Sequence, residues 1–271
     1  MKRKRLLLAT LLILAAVSCG YIEVNSYMLG FYDIVSMGAV GRQVNIGGEE
    51  YIQLRVHVKK ARMVTDVFGD RQSENGSYED LCRKYGDVSF SRRTLSLSAN
   101  IGEPLQYCWP NADFRSIEVV CGHEWDSSHP AGSSLDDIVW FVSQSVYPFI
   151  RNSYTAFDYH AYEWSEFFRS CYGGNHRMYA YPVDGPLSEI EPRDMMLLGP
   201  GSSLTQPGGL GYEEPDMLYF PPDVDSDDDP WLMSYNTFAL FIPVSDSGAS
   251  DLTVIITDEN GENYTVVPEM I

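Results

Sequence analysis

The chain has 271 residues, an apolar fraction of 44% and a formal net charge of −19. That apolar content excludes a disordered chain. The excess of 38 acidic over 19 basic residues argues against nucleic acid, whose affinity comes from cationic neutralisation of phosphates, and against an electrostatic grip on anionic lipid.

Lys2, Arg3, Lys4 and Arg5 precede an apolar run from Leu6 to Val17 that only Thr10 interrupts. As a helix this run covers about 18 Å of a hydrocarbon core about 30 Å thick, too little to span comfortably. A basic start and a short apolar stretch predict a secretory leader. Ala16-Val17-Ser18-Cys19 follows at once and resembles the lipobox of bacterial lipoprotein precursors. The resemblance implies a signal peptide over 1–18, cleavage before Cys19, and acylation of that cysteine by diacylglycerol on the thiol and a palmitate-type chain on the amine. Two or more acyl chains hold a protein stably where one does not. Gly20 rather than Asp follows the cysteine, which in this resemblance favours an outer-membrane lipoprotein, facing the periplasm or the cell surface. Loss of the leader takes the net charge from −19 to −23. No later run approaches the length of a membrane span, so Cys19 is the expected attachment.

Residues 19–28 are expected to be a tether or first strand, and 29–271 a single β-rich domain. Ile52, Leu54, Val56 and Val58 alternate with Gln53, Arg55, His57 and Lys59, which predicts a strand with one wet face. Residues 69–80 are polar and Gly-containing and are expected to form a loop. "TLSLS" (94–98) and "SIEVVC" (116–121) read as strands. Leu135, Ile138, Val139 and Val142 fall on one helical face, with Ser134 as a cap and Pro148 as a stop, so a helix is expected there. A second helix is expected at about 160–171, with Ala161, Trp164, Phe168 and Cys171 on one face and Gly173-Gly174 after it.

From about 182 to 230 the chain is rich in Pro, Gly, Ser and Asp, a loop-rich excursion with one short strand near 217–220. "NTFALFIPV" (236–244) and "LTVIITDENGENYTVV" (252–267) make three β runs. Asn260-Gly261 suggests a type I′ turn, a register that pairs Ile255 with Val266 and Thr257 with Tyr264. The fold class expected is mainly β, an antiparallel β-sandwich with one or two short helices, with α+β as the fallback.

Beyond Cys19, the cysteines are Cys82, Cys108, Cys121 and Cys171. An even number in an oxidising compartment permits two disulfides, with Cys108–Cys121 nearest in sequence, but buried free thiols fit as well. Asp223, Asp225 and Asp227 have the alternating spacing of a Ca²⁺ loop. The loop then departs from the EF-hand pattern, with Asp228 where Gly is needed and Ser234 where a bidentate Glu is needed. An irregular Ca²⁺ site or a solvated acidic loop remain as readings; no other cofactor is indicated. Glu259 and Glu262 beside the hairpin turn raise the same question more weakly. Cys121, His123, Glu124, Asp126 and His129 cluster in "CGHEWDSSH", but their spacing matches no zinc pattern. Glu163 and Glu166 lie three apart on one expected helix, neighbours rather than the opposed carboxylates of a glycosidase. Nucleophile-elbow, zincin, P-loop and dinucleotide-binding motifs are absent from the sequence.

The leader, the acidic Tyr-rich body, and the stretches "HPAGSSLDDIV" and "TDENGENYTV" resemble the lipoproteins of Bacteroidetes that form domain-of-unknown-function families. The resemblance implies an envelope location and carries no catalytic residue. The function expected is a non-catalytic binding or assembly role at the cell envelope, with an envelope protein or a glycan as partner. The alternative is a carbohydrate-active enzyme or a glycan-binding component of an outer-membrane uptake system.

Overall fold

The computed structural model describes residues 21–28, 30–66, 77–90, 92–96, 108–172, 181–191, 217–219, 238–245 and 251–271. The chain is mainly β. It begins with β1 (Tyr21–Val24), the long pair β2 (Gly30–Ile46) and β3 (Glu49–Asp66), helix α1 (Tyr78–Tyr85) and β4 (Arg92–Ser96). Then come β5 (Cys108–Pro110), β6 (Phe114–Cys121), β7 (Trp140–Ser145), α2 (Tyr147–Arg151), α3 (Glu166–Tyr172) and β8 (Tyr181–Pro186). The last strands are β9 (Met217–Tyr219), β10 (Phe238–Pro243), β11 (Leu252–Asp258), β12 (Asn263–Val266) and β13 (Glu269–Met270).

The large sheet runs β13-β2-β3-β10-β7-β8, with β5 on β2 and β9 on β3. A second sheet, β12-β11-β6, lies over one of its faces, and β1 pairs with β4 separately. The arrangement is the expected sandwich of antiparallel sheets with small helices; among the described residues only β5 and β13 run parallel to their neighbour. The main core fills the space between the sheets. Leu54, Val56, Phe141, Phe238 and Leu240 of the large sheet meet Ile117, Val119, Val254 and Ile256 of the small one. In β11 the buried residues alternate with half-exposed ones, as one wet face requires.

β3 does not follow that pattern. Most of the expected wet face is buried: Gln53, Arg55 and His57 are as enclosed as the aliphatic residues between them, and Lys59 alone of the four is exposed. The reason is position. β3 sits inside the sheet between β2 and β10, and α3 lays Phe168 and Cys171 over Ala239 and Phe241 on the second face. Alternation in the sequence reports two unlike faces; it cannot say whether the polar one reaches water.

The helix expected from Leu135 is not formed. Leu135 to Val139 make a single turn, with the amides of Ile138 and Val139 bonded to the Leu135 carbonyl, and the chain then becomes β7. Ser134 caps that turn, its hydroxyl accepting from the Asp136 amide at 3.2 Å. Trp140, Phe141 and Val142 favour a strand, and between β10 and β8 they bury both faces. Pro148 opens α2 instead of closing a longer helix. Of the second expected helix, about 160–171, only Glu166–Tyr172 forms, as α3; Tyr159–Ala161 is a separate 3₁₀ turn and Trp164 lies between the two.

The hairpin register differs by one residue from the expectation. Val254 faces Val266 and Ile256 faces Tyr264. Asn260 lacks the positive φ that a type I′ turn requires, whereas Gly261 has φ +83°. The Asp258 carboxylate accepts from the amides of Asn260 and Glu262, at 2.9 and 2.8 Å, and so closes a wider turn. The start of the loop-rich excursion also differs: Tyr181–Pro186 is the edge strand β8. Close approach fixes one glycine, because a Cβ at Gly41 would collide with Met270 of β13 and lie 2.9 Å from Leu54 Cδ2.

Candidate functional site

A cleft of about 510 Å³ opens where the two sheets meet α1. The start of β2 gives Asp33, Ile34 and Val35, and β3 gives Arg62. Helix α1 gives Leu81 and Lys84, and the link between β5 and β6 gives Asn111 and Ala112. The β11–β12 hairpin closes the cleft with Asp258, Glu259, Glu262 and Tyr264. The volume lies within the range of small-molecule sites.

Polar contacts hold most of this lining. Asn111 Nδ2 donates to Asp33 Oδ1 at 3.2 Å, and Arg62 stands 4.0 Å from the same carboxylate. Lys84 donates to Glu259 and, at 3.0 Å, to the Asn111 carbonyl. Glu259 also accepts from the Asp113 amide at 3.3 Å. The Tyr264 hydroxyl donates to the Ile34 carbonyl at 3.4 Å. Burial, and then the charges of Glu262, Asp258 and Asp33, raise the Tyr264 pKa well above its ordinary value, so it stays a neutral phenol. Arg62 and Lys84 are each matched to a carboxylate, whereas Asp258 and Glu262 face no basic side chain among the described residues. The cleft therefore has an anionic surplus.

On the far side of the large sheet, half-buried aromatic rings surround α3. Tyr162 and Trp164 have centroids 4.8 Å apart, Phe157 and Tyr181 5.0 Å, and Trp140 and Phe167 5.0 Å. Trp140 Nε1 donates to Asp184 Oδ1 at 2.6 Å among them. Beneath lies the polar face of β3. Gln53 Nε2 donates to Cys171 Sγ at 3.4 Å and its Oε1 accepts from Arg42 Nε at 3.0 Å. His57 Nε2 and the whole Gln144 amide are buried on this face without a hydrogen-bond partner among the described residues. Burial, and then the Lys59 and Arg55 charges, lower the His57 pKa to about 4. His57 is neutral at physiological pH.

Cys82, Cys121 and Cys171 are buried free thiols. The Cys108–Cys121 pair is not formed: Cys121 Sγ contacts the carbonyls of Pro130 and Ser133, at 3.5 and 3.4 Å. The Cys108 side chain lies outside the described residues. Burial pushes the Cys82 and Cys171 thiols up to about 12, so neither supplies a thiolate nucleophile near neutral pH. Cys19, Asp223, Asp225, Asp227 and His176 lie outside the described residues. No group of metal-ligating side chains is present among the described residues.

The "CGHEWDSSH" stretch forms a clamp. His129 Nδ1 lies 2.8 Å from Asp126 and Nε2 lies 3.0 Å from Asp137. Glu163 and Glu166 are exposed on and beside α3. Glu259 and Glu262, singled out in the sequence, do line the cleft; Asp33, Arg62, Lys84 and Asn111 carried no local signal, because only the tertiary fold brings them there. Among the described residues no helix is long and apolar enough to cross a membrane. No family model matches the chain, and no curated protein or solved structure is significantly similar to it.

Proposed function

We propose that this protein is a lipid-anchored component of the cell envelope, an outer-membrane lipoprotein of the Bacteroidetes type, with a non-catalytic binding or assembly role. The observation that carries the anchoring is the basic and apolar leader ending in Ala16-Val17-Ser18-Cys19. The cleft supports the binding role, since its Asp33 and Glu259 are committed to cations and amides rather than opposed across an open space. The partner is an envelope protein or a glycan. In cells, Cys19→Ala is expected to release the protein from the envelope fraction, and mass spectrometry of the native amino terminus is expected to find diacylglycerol and fatty acid on Cys19. An unmodified Cys19, or a Cys19→Ala protein that still sediments with the envelope, overturns the anchor. Protease shaving of intact cells then assigns the outward or periplasmic orientation.

The second reading is a glycan-binding or carbohydrate-active role. The half-buried aromatic face around Trp140, Tyr162 and Trp164 favours it, because sugar rings stack on such side chains. Titration with envelope oligosaccharides that changes tryptophan fluorescence, and a loss of that change in Trp164→Ala, would move the role to this face.

A further inference from the structure

Strand β1 starts at Tyr21, two residues after Cys19, so about 7 Å of extended chain separates them. β1 pairs with β4 in the register Tyr21↔Ser96, Ile22↔Leu95 and Val24↔Arg92, and among the described residues neither strand joins another sheet. The ladder continues one step past β1, where the Phe90 amide donates to the Asn25 carbonyl at 2.9 Å. The two strands form a ribbon about 13 Å long from Asn25 to Tyr21.

The inner end of the ribbon is fixed to the body. The Asp87 carboxylate accepts from the amides of Tyr27 and Met28, both at 2.7 Å, and the Tyr78 hydroxyl donates to the Met28 carbonyl at 2.7 Å. The Tyr27 ring meets Phe90 and Phe149 edge-on, with centroids 5.2 and 5.0 Å away. Tyr27, Met28 and Phe149 belong to one buried cluster with Leu81 of α1 and Ile150 of α2. A loose tether would let the body turn freely about an anchor. Here the chain beside Cys19 is paired and its base is clamped, so an anchor at Cys19 also sets which end of the body faces the membrane.

The composition of that end suits a lipid surface. Residues 88–102 hold Arg92 and Arg93 and no acidic residue, in a chain with twice as many acidic as basic residues. Val88, 52% exposed, is a large apolar side chain at the base of the ribbon. An anionic leaflet repels a mature chain of net charge −23 as a whole and attracts the arginine pair. Both forces turn the ribbon toward the headgroups and the rest of the body away.

Resting on the acylation proposed above, we infer that the β1–β4 ribbon is a membrane-contact element, seated on the phospholipid headgroups beside Cys19 with Arg92 and Arg93 against their phosphates. Guanidinium groups suit this partner, since they bind phosphate through paired hydrogen bonds. The seat holds the end of the body that carries Asp87 and α2 toward the bilayer. β2 leaves that end at Gly30, and the β2–β3 turn at Gly47-Gly48 lies at its other end, away from the lipid.

The test uses the native acylated protein in mixed phosphatidylethanolamine–phosphatidylglycerol vesicles, with the unacylated Cys19→Ala protein in solution as reference. Amide exchange at residues 88–96 is expected to be at least fivefold slower on the vesicles, with exchange at residues 47–48 unchanged. Raising salt from about 0.1 M to about 1 M shortens the Debye length to about 3 Å. That is expected to remove most of the protection while the acyl chains keep the protein on the vesicles. Arg92→Glu with Arg93→Glu is expected to do the same at low salt. Lys59→Glu with Arg169→Glu, an equal change of charge outside the ribbon, is expected to leave the protection intact. The salt series needs no substitution, so it decides even where the glutamates lower Tm. Vesicle-bound acylated protein with unslowed exchange at 88–96, protection that persists at high salt, or equal losses in both pairs of variants each overturn the seat. Protection of 88–96 that grows with the concentration of the Cys19→Ala protein also overturns it, by placing a second copy on the ribbon. The anchor fails separately, by mass spectrometry that finds Cys19 unmodified.

Discussion

The Asp87 carboxylate is fully buried and accepts from the amides of Tyr27 and Met28, both at 2.7 Å, and from the Tyr154 hydroxyl at 2.9 Å. It joins the start of the chain to α1 and to the turn after α2. Asp87→Ala leaves two buried amides without an acceptor and should cost about 3 kcal/mol, seen as a lower urea midpoint at unchanged m. Two histidines give opposite pH dependences. Both ring nitrogens of His129 face carboxylates, a geometry that suits the imidazolium; burial opposes the charge, but Asp137 and Asp126 raise its pKa above 6.5. Its contribution is therefore complete below pH 6.5 and is lost as pH rises through the elevated folded value. His57 has its pKa lowered from 6.5 to about 4, so stability falls as pH drops through that interval, because only the unfolded chain takes the proton readily. Thermal unfolding across pH 4–8 should show a maximum near 6.5; His129→Gln should flatten the alkaline limb and His57→Gln the acidic one. The partners of His129, Asp126 and Asp137, lie three and eight residues away in or just after the acidic and histidine cluster that the sequence shows, whereas no local feature marks His57, whose burial depends on what the fold packs over it.

At the scale of elements, α1 shows how much cap chemistry can specify. Ser77 accepts from the Asp80 amide at 3.3 Å, Glu79 and Asp80 lie in the first turn, Arg83 and Lys84 in the last, and Gly86 ends the helix with φ +73°. Each signal is present in the sequence, yet the loop expected over 69–80 takes in Tyr78–Asp80, which form the first turn of α1; so short a helix, Tyr78–Tyr85, leaves little periodicity to set against the polar composition. Gly86→Ala should cost about 1 kcal/mol by forcing a Cβ into the left-handed region, and Ser77→Ala about the same by removing the cap. The hairpin turn is the counterpart at the cleft. Asp258 is buried and holds the amides of Asn260 and Glu262, so Asp258→Ala should destabilise by about 2 kcal/mol and increase exchange at the amides of 260 and 262. The Asn-Gly pair pointed to a tighter turn than the one adopted. A carboxylate within the same turn competes for those amides and shifts the register by one, which sets Val254 and Ile256 opposite Val266 and Tyr264.

At the scale of the molecule, stability resides in the layer between the sheets, where Phe238 stacks on Phe141 at 5.3 Å and meets Phe114 edge-on at 6.4 Å. Phe238→Ala should cost about 3–5 kcal/mol in chemical denaturation, since the two sheets cannot both close on the space it leaves. The sequence alone determined the β class, the strands β10, β11 and β12, the second half of the second expected helix and the location of the acidic hairpin turn. Those features follow from local periodicity and turn chemistry, which act over a few residues. Tertiary structure decided the rest. It buried the polar side of β3 and made a strand of Trp140–Ser145, because burial depends on which elements lie above and below a strand. It also gathered Asp33, Arg62, Lys84 and Glu262 from distant positions around one cleft, because the charges that meet there are neighbours only after the two sheets have packed.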